Sequence, residues 1–139
     1  MGVATSVVTP DATLFSGECD FIVARGSDGE LGVLPHHAPL MTTLKPGPLM
    51  LRHQRAATVL FLTGGFLEVL PERVTVLADA GEPAEAIDPA EGQRRLKAAQ
   101  ERLAAAERGT PDGREAEREL ERCQQRLRAA ELATAQRRG

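Results

Sequence analysis

Histidines and carboxylates are the side chains in this sequence best suited to acid–base or metal chemistry. His36 and His37 are adjacent, Asp28 precedes them, and His53 stands alone further along the chain. Hydrolytic metal sites use spacings such as HExxH, and none surrounds these histidines. One hypothesis is still a small hydrolase built on His36, His37 and Asp28, which predicts a bound metal and a pocket.

Phosphate-binding loops are also absent from the sequence. Gly26, Gly29 and Gly32 recur three residues apart, but they fall in a loop and a strand, not in a turn that leads into a helix. There is no Walker loop and no GxSxG nucleophile elbow. The sequence therefore predicts no catalytic residues and no metal ligands, and indicates a protein that is not an enzyme.

Four arginines near the C-terminus recur at four-residue intervals, which places them in one stripe on a helix. They are Arg114, Arg118, Arg122 and Arg126. Intervening glutamates partly match them through i,i+3 pairs: Glu115, Glu117, Glu119 and Glu121. The stripe is either a solvated helix face with weak salt bridges or a surface that meets an acidic partner. Nucleic acid is a poor partner, because the net charge is −3 and these helices carry no aromatic residue to stack on bases.

Residues 26–40, GSDGELGVLPHHAPL, form the most tightly specified stretch of the sequence. A Gly/Ser/Asp turn leads into a short apolar strand, and two prolines bracket the paired histidines. Loops fixed by proline and glycine and carrying polar side chains often form binding surfaces. We therefore expect a docking surface here.

Short strands with turn signals every 8 to 12 residues precede the helices, a pattern typical of a β-sandwich or barrel. The predicted strands outside the docking stretch span residues 3–8, 12–15, 18–25, 49–53, 58–62, 66–70 and 74–78. Nothing between them has a helical period long enough for a crossover helix, so the pairing should be antiparallel.

A change of composition after residue 84 marks a second unit. Asp88 can cap a helix in which Pro89 is the first residue and Glu91 reaches back to the cap. Residues 109–113 end this helix and start another, with Thr110 as the cap. Each helix carries a thin alanine/leucine seam, which predicts two helices of similar length in a weakly held antiparallel hairpin. The predicted units are residues 1–84 and 85–139.

Composition agrees with one ordinary domain plus an appendage in 139 residues. The chain is 42% hydrophobic but only 3% aromatic, so its core should be aliphatic. Cys19 and Cys123 lie in segments of different character and are predicted to be small buried residues without a disulfide. No run of about 18 apolar residues and no export signal are found, which predicts a protein without a transmembrane helix.

The sequence resembles the family of ε subunits of the F-type ATP synthase, called δ in mitochondria. The resemblance is carried by VVTPD at 7–11, LFSGE at 14–18, DGELGVLPHHAPL at 28–40, LKPG at 44–47, GGFLEV at 64–69 and VTVLAD at 74–79. It implies a mainly β plus α fold, in which an N-terminal flattened antiparallel β-sandwich precedes a C-terminal antiparallel two-helix hairpin.

This resemblance further implies a central-stalk (rotor) subunit at the cytoplasmic face of the cell membrane, held there peripherally by the complex. Its sandwich would bind the γ subunit and the ring of c subunits, with Glu30 and His37 facing the ring. A glycine usually precedes that histidine in the family, and here it is His36. The competing hypothesis is a stand-alone β-sandwich adaptor or scaffold without catalytic activity.

The family also suggests a regulatory role for the helices. In bacterial and chloroplast relatives they can extend toward the catalytic β subunits, where basic residues meet an acidic segment and block ATP hydrolysis. Here those residues would be Arg114, Arg118, Arg122 and Arg126. Two packings that differ by a few kcal/mol would make the hairpin a switch.

Some relatives bind ATP in the folded arm through the motif Ile/Leu-Asp-x-x-Arg-Ala and arginines of the second helix. Ile87 and Asp88 match the motif, and Arg122 and Arg126 could match the second-helix arginines. Glu91 and Gly92 stand where the motif has arginine and alanine. A glutamate there repels a triphosphate, so we expect weak or absent ATP binding and no cofactor.

Overall fold

Ten strands and two helices make up the part of the chain that the computed structural model describes, residues 2–138. The strands are β1 (Val3–Val8), β2 (Thr13–Cys19), β3 (Phe21–Gly26), β4 (Gly29–Val33), β5 (Leu40–Leu44), β6 (Gly47–His53), β7 (Ala56–Leu62), β8 (Gly65–Val69), β9 (Arg73–Ala78) and β10 (Gly81–Pro83). After a 3-10 turn at Ala84–Ala86 come helices α1 (Pro89–Ala105) and α2 (Pro111–Arg138).

The strands belong to one sheet that folds over on itself as a β-sandwich. Their order is β10-β7-β6-β3-β5-β8-β9-β1-β2, and β4 pairs with β3 beside this path. The fold closes because β2, at one end of the order, contacts β6 and β10 near the other end. The predicted N-terminal sandwich followed by two packed C-terminal helices is confirmed.

One strand pairing within the described sheet differs from the antiparallel expectation. β1 and β9 pair in parallel, with Val7 opposite Val76, whereas the other neighbours run antiparallel. A parallel pair needs a long connection between its strands. Here the rest of the sandwich supplies that connection, so no crossover helix is needed.

The core of the sandwich is aliphatic, as the composition predicts. Its largest fully buried side chains are Ile22, Leu49, Leu51, Leu60, Leu67, Val7, Val33, Val69, Val74, Val76 and Cys19. Cys19 and Cys123 are both buried, as the sequence predicts, and both thiols are free. Burial raises the pKa of both thiols, so neither is poised to react while its surroundings stay folded.

The sequence prediction misses β5 and β10, and it also places a strand boundary wrongly near residue 18. Ser16 and Gly17 look like turn residues, but β2 runs through them because they pair with Ser6 and Thr5 of β1. The break falls instead at Asp20, between β2 and β3. Tertiary pairing satisfies the backbone at Ser16 and Gly17, and this outweighs their local turn preference.

Both helix starts agree with the prediction. The Asp88 carboxylate accepts a hydrogen bond from the backbone N–H of Ala90 at 3.0 Å, and Pro89 is the first helical residue. The Thr110 hydroxyl accepts from the N–H of Gly113 at 3.0 Å. The predicted return of Glu91 to the cap is wrong, because its carboxylate pairs with Arg95 and Arg126.

The two helices differ in length, which corrects the expectation of similar helices. α1 has 17 residues and α2 has 28. The additional length carries an alanine-rich face of α2 onto β6 and β7. The buried cluster there comprises Val59, Phe61, Ala84, Ile87, Ala129, Ala130 and Ala133. α2 therefore packs against the sandwich as well as against α1. Neither helix is long and apolar enough, over the residues described, to cross a membrane.

Candidate functional site

Glu30 lies on an exposed hairpin strand of the predicted docking stretch. It sits in β4 opposite Arg25 of β3, with its side chain 56% exposed. An Arg128 guanidinium N–H from α2 donates to its carboxylate at 3.1 Å. Both partners are largely in water, so the ion pair is weak and the carboxylate is available to other cations.

The loop after β4 carries the paired histidines in a fixed turn. His36 has a φ of 66°, a left-handed conformation that favours glycine. Its backbone N–H donates to the Pro71 carbonyl at 3.1 Å, and the His37 N–H donates to that of Leu34 at 3.2 Å. The loop thus keeps a conformation that suits glycine although a histidine occupies the position.

His37 has one ring nitrogen engaged within the loop itself. Its Nδ1 lies 2.7 Å from the Ala38 carbonyl oxygen, so Nδ1 carries the proton and donates. The opposite nitrogen, Nε2, is then left for an outside partner. Within residues 2–138, no group of three or more His, Cys, Asp or Glu side chains could hold a metal ion.

An exposed apolar row on the sandwich was missed by the sequence analysis. Register places Val8, Leu77 and Phe66 side by side across β1, β9 and β8. Leu77 is 52% exposed, and Met41 of β5, on the same face but opposite Glu68 of β8, is 62% exposed. We call Val8, Leu77, Phe66 and Met41 the apolar face. The sequence could have indicated this face through the alternation in β9, where Val74 and Val76 point inward and Leu77 must therefore point outward.

The arginine stripe divides into two parts in the structure. Arg114 and Arg118 are exposed: Arg114 donates to the Gly109 carbonyl at 2.7 Å, and Arg118 pairs with Glu115 at 3.0 Å. Arg122 contacts both Glu115 and Glu119, each at 2.7 Å. Hydrogen bonds from Arg122 and then Arg118 lower the pKa of the Glu115 carboxyl. Predicted i,i+3 pairs thus form at Glu115 and Glu119, whereas Glu121 pairs with Arg25 of β3 at 3.2 Å.

Arg126 points inward and joins three elements. Its Nε and Nη2 donate to the two carboxylate oxygens of Glu82 on β10, at 3.1 and 3.2 Å. Its Nη1 donates to Glu91 of α1 at 2.9 Å. The Arg126 side chain is only 13% exposed. We call Arg126, Glu82 and Glu91 the arginine clasp. Hydrogen bonding to Glu82 is the main cause that raises the pKa of Arg126.

A cleft of about 230 Å³ beside the clasp is where a nucleotide would have to fit. Arg95, Arg122 and Arg126 line it, together with Glu82, Gly92 and Cys123. The Asp88 carboxylate is already used as a helix cap. A Cβ at Gly92 would lie 2.6 Å from Leu127 Cδ2, so the alanine of the motif would require the Leu127 side chain to move. With the chain's own carboxylates on Arg126, this cleft is a poor fit for a triphosphate.

The sequence matches a protein family over most of the sandwich. A family model described as the ATP synthase delta/epsilon chain, beta-sandwich domain, matches residues 3–84. The ATP synthase epsilon chain of Acidithiobacillus ferridurans is 44% identical over 104 residues, 75% of this chain and 74% of that relative. That of Pelotomaculum thermopropionicum is 47% identical over 98 residues, 70% of this chain and 73% of the relative.

Solved structures with the same fold include both sandwich and helices. A chain of the Euglena gracilis mitochondrial ATP synthase (OSCP/F1/c-ring) superimposes with a TM-score of 0.82 at 22% identity, covering 94% of this chain and 81% of that chain. A chain of the Tetrahymena thermophila enzyme, from its central stalk and c-ring, gives a TM-score of 0.62 at 15% identity, covering 94% and 97%. At these identities the likeness concerns the fold.

Proposed function

Because the chain belongs to the ATP synthase delta/epsilon family, as the sequence motifs predict, we infer that it works as a non-catalytic subunit of the central stalk. The match spans 82 consecutive residues of the sandwich, 3–84. The relatives also align over about three quarters of this chain and of their own length. As part of the stalk, the protein joins a membrane-bound complex as a peripheral component.

We propose that the apolar face binds the γ subunit. Leu77 and Met41 are 52% and 62% exposed on one face of the sandwich, and exposed apolar side chains grouped on a folded domain mark interaction sites. It is carried by four adjacent strands, β5, β8, β9 and β1, each paired on both sides, which hold it rigid. A rigid apolar surface suits a permanent partner in a rotor, because transmitting torque requires that the contact does not slip.

The docking stretch would serve a different partner, the ring of c subunits. Glu30 offers a carboxylate held only by an exposed ion pair, and His37 offers Nε2. An acid and an imidazole suit polar, partly basic loops, where charge complementarity fixes register more than it adds affinity. The proposed location is accordingly the cytoplasmic face of the membrane.

The helices, residues 85–139, would form a regulatory arm on the sandwich of residues 1–84. In the folded state α2 lies on β6 and β7, and its exposed Arg114 and Arg118 face solvent. An extended arm would bring these two, and Arg122 and Arg126 once released, to an acidic segment of the catalytic β subunit. Inhibition of ATP hydrolysis would follow from that contact.

Affinity capture from membrane extract tests the stalk assignment. The tagged chain should retain the γ and c subunits, whereas a stand-alone adaptor or a small hydrolase should retain neither.

Replacing Leu77 with arginine should weaken retention of γ about tenfold or more, because a charge would be forced into the apolar contact. Thr58→Arg, on an exposed position of β7, is the matched control and should leave retention unchanged. Equal retention by both variants would mean that γ binds elsewhere.

A further inference from the structure

Arg126 is the most extensively bonded charged side chain between α2 and the rest of the molecule in the described residues. Three N–H groups of its guanidinium donate to two glutamates, at 3.1, 3.2 and 2.9 Å. One glutamate belongs to the sandwich, on β10, and the other to α1. Bidentate arginine–carboxylate pairs are stronger and more directional than single contacts. The arginine clasp therefore fastens α2 to both neighbours at once.

The other ionic contacts of α2 with the sandwich and the 3-10 turn are single or more exposed. Arg25 of β3 meets Glu121 through one N–H at 3.2 Å, with side chains 23% and 38% exposed. Arg128 and Glu30 are 46% and 56% exposed, and Arg137 lies 3.9 Å from Glu85, so these two pairs contribute little. Arg126 is shielded, so removing its partners would leave an arginine in a site with little water. Among the ionic contacts, the clasp should thus contribute most to holding the arm folded.

Glu91 supplies the second carboxylate of the clasp. It places a carboxylate on α1, beside the cleft, where it contacts Arg126 and also Arg95 at 3.2 Å. The charges of several arginines in one cleft repel one another unless negative groups lie between them. Here Glu82, Glu91 and Glu119 supply the negative charge from within the chain.

We propose that the Arg126–Glu82–Glu91 clasp acts as a built-in substitute for a bound anion, closing the arm without nucleotide and competing with an acidic partner for the same arginine. When the arm opens, Arg126 leaves the carboxylates of Glu82 and Glu91 and meets those of the acidic partner. It therefore has a negative partner in both the folded and the extended arm. The exchange with a partner rests on the proposed regulatory function. The clasp itself does not, and it can be tested on the isolated chain.

The chain's own cysteines supply the reporters. Cys123 is 6% exposed and lines the cleft beside the clasp, so it reacts with a thiol reagent only when the arm opens. Cys19 is fully buried in the sandwich and reports unfolding of that unit. In the full-length Glu82→Gln/Glu91→Gln variant we expect Cys123 to label roughly tenfold faster, because bonds to a charged group are lost. Labelling of Cys19 should not change.

A control removes one carboxylate that contacts α2 from the 3-10 turn, outside the clasp. Glu85→Gln breaks only the 3.9 Å contact with Arg137, so labelling of Cys123 should stay within about twofold. ATP at millimolar concentration should leave labelling of Cys123 in the unmodified chain unchanged. Hydrogen exchange of the α2 backbone should rise in parallel with Cys123 labelling, which separates opening from a change in thiol reactivity.

Three outcomes would overturn the clasp. They are equal labelling in the double variant and the unmodified chain, equal acceleration by Glu85→Gln, and protection of Cys123 by ATP. If the double variant unfolds the sandwich, so that Cys19 labels as fast as Cys123, Arg126→Lys decides, since it keeps the charge but loses the paired bonds. Faster Cys123 labelling with unchanged hydrolysis in the assembled enzyme would support the clasp and overturn the inhibitory role of the arm.

Discussion

Replacing Gly65 with alanine should lower the free energy of unfolding by about 3 kcal/mol or more. Gly65 begins β8 with a φ of 146°, a conformation that side chains rarely adopt. A Cβ there would lie 2.2 Å from the Leu77 carbonyl oxygen and 2.8 Å from the Ala78 Cα. Both are backbone atoms of the paired strand β9, so neither can rotate away. β8 and β9 would have to separate at this end of their shared ladder.

Gly64→Ala provides a matched comparison for the Gly65 variant. Gly64 has nearly the same φ, 142°, but a Cβ there would meet the Asp79 carboxylate at 3.1 Å, and that side chain can move. The Gly64→Ala variant should lose about 1–2 kcal/mol of unfolding free energy, from backbone strain alone. Urea unfolding followed by circular dichroism measures both variants. Equal losses would contradict the contact with β9 as the cause of the larger effect.

The strands could be predicted from the sequence where local pattern and final pairing agree. β9 alternates buried Val74 and Val76 with outward residues, and a turn signal bounds it. β2 could not be delimited in this way, because its path through Ser16 and Gly17 depends on pairing with β1. β10 was missed for a similar reason: three residues carry no period, and they become a strand only by pairing with β7.

The helix starts were predictable because caps are local chemistry. Asp88 with Pro89, and Thr110 with Pro111, each combine a side-chain acceptor with a proline suited to the first turn. The contact of α2 with the sandwich was not predictable. Ala129 and Ala133 make this contact. Because alanine is also common on solvent-exposed helix faces, these residues do not indicate a second buried side of α2.

The arginine stripe shows why spacing alone did not define the candidate site. An interval of four residues correctly placed four arginines along one helix. It could not reveal that Arg126 turns inward, because its partners Glu82 and Glu91 lie 44 and 35 residues away in sequence. Glu30 illustrates the same limit, since Arg128 is 98 residues away. The sequence shows which residues are charged, but the ion-pair partners of Arg126 and Glu30 depend on how α2 packs on the sandwich.

Deleting residues 88–139 should raise ATP hydrolysis by the assembled enzyme at least about fivefold, the lower end of ordinary coupling between sites. The deletion removes Arg114, Arg118, Arg122 and Arg126 together, and therefore every basic group proposed to meet the catalytic subunit. The family match ends at residue 84, before the deletion begins, so binding to γ should persist. Retention of γ on the truncated chain, and ATPase rates of matched complexes, are the measurements.

A variant that opens the arm more readily, instead of removing it, is the control for the truncation. Glu82→Gln/Glu91→Gln keeps the whole arm but frees Arg126, so it should slow hydrolysis, because a more readily opened arm reaches the catalytic subunit more often. Truncation also exposes Phe61 and Val59 of the buried cluster, which could make the chain aggregate. Aggregation would be detected as a loss of γ binding, and so would be distinguished from a direct effect on ATP hydrolysis. Unchanged hydrolysis after truncation, with γ still bound, would exclude the arm as an inhibitor. Faster hydrolysis in both variants would contradict release of Arg126 as the route to inhibition.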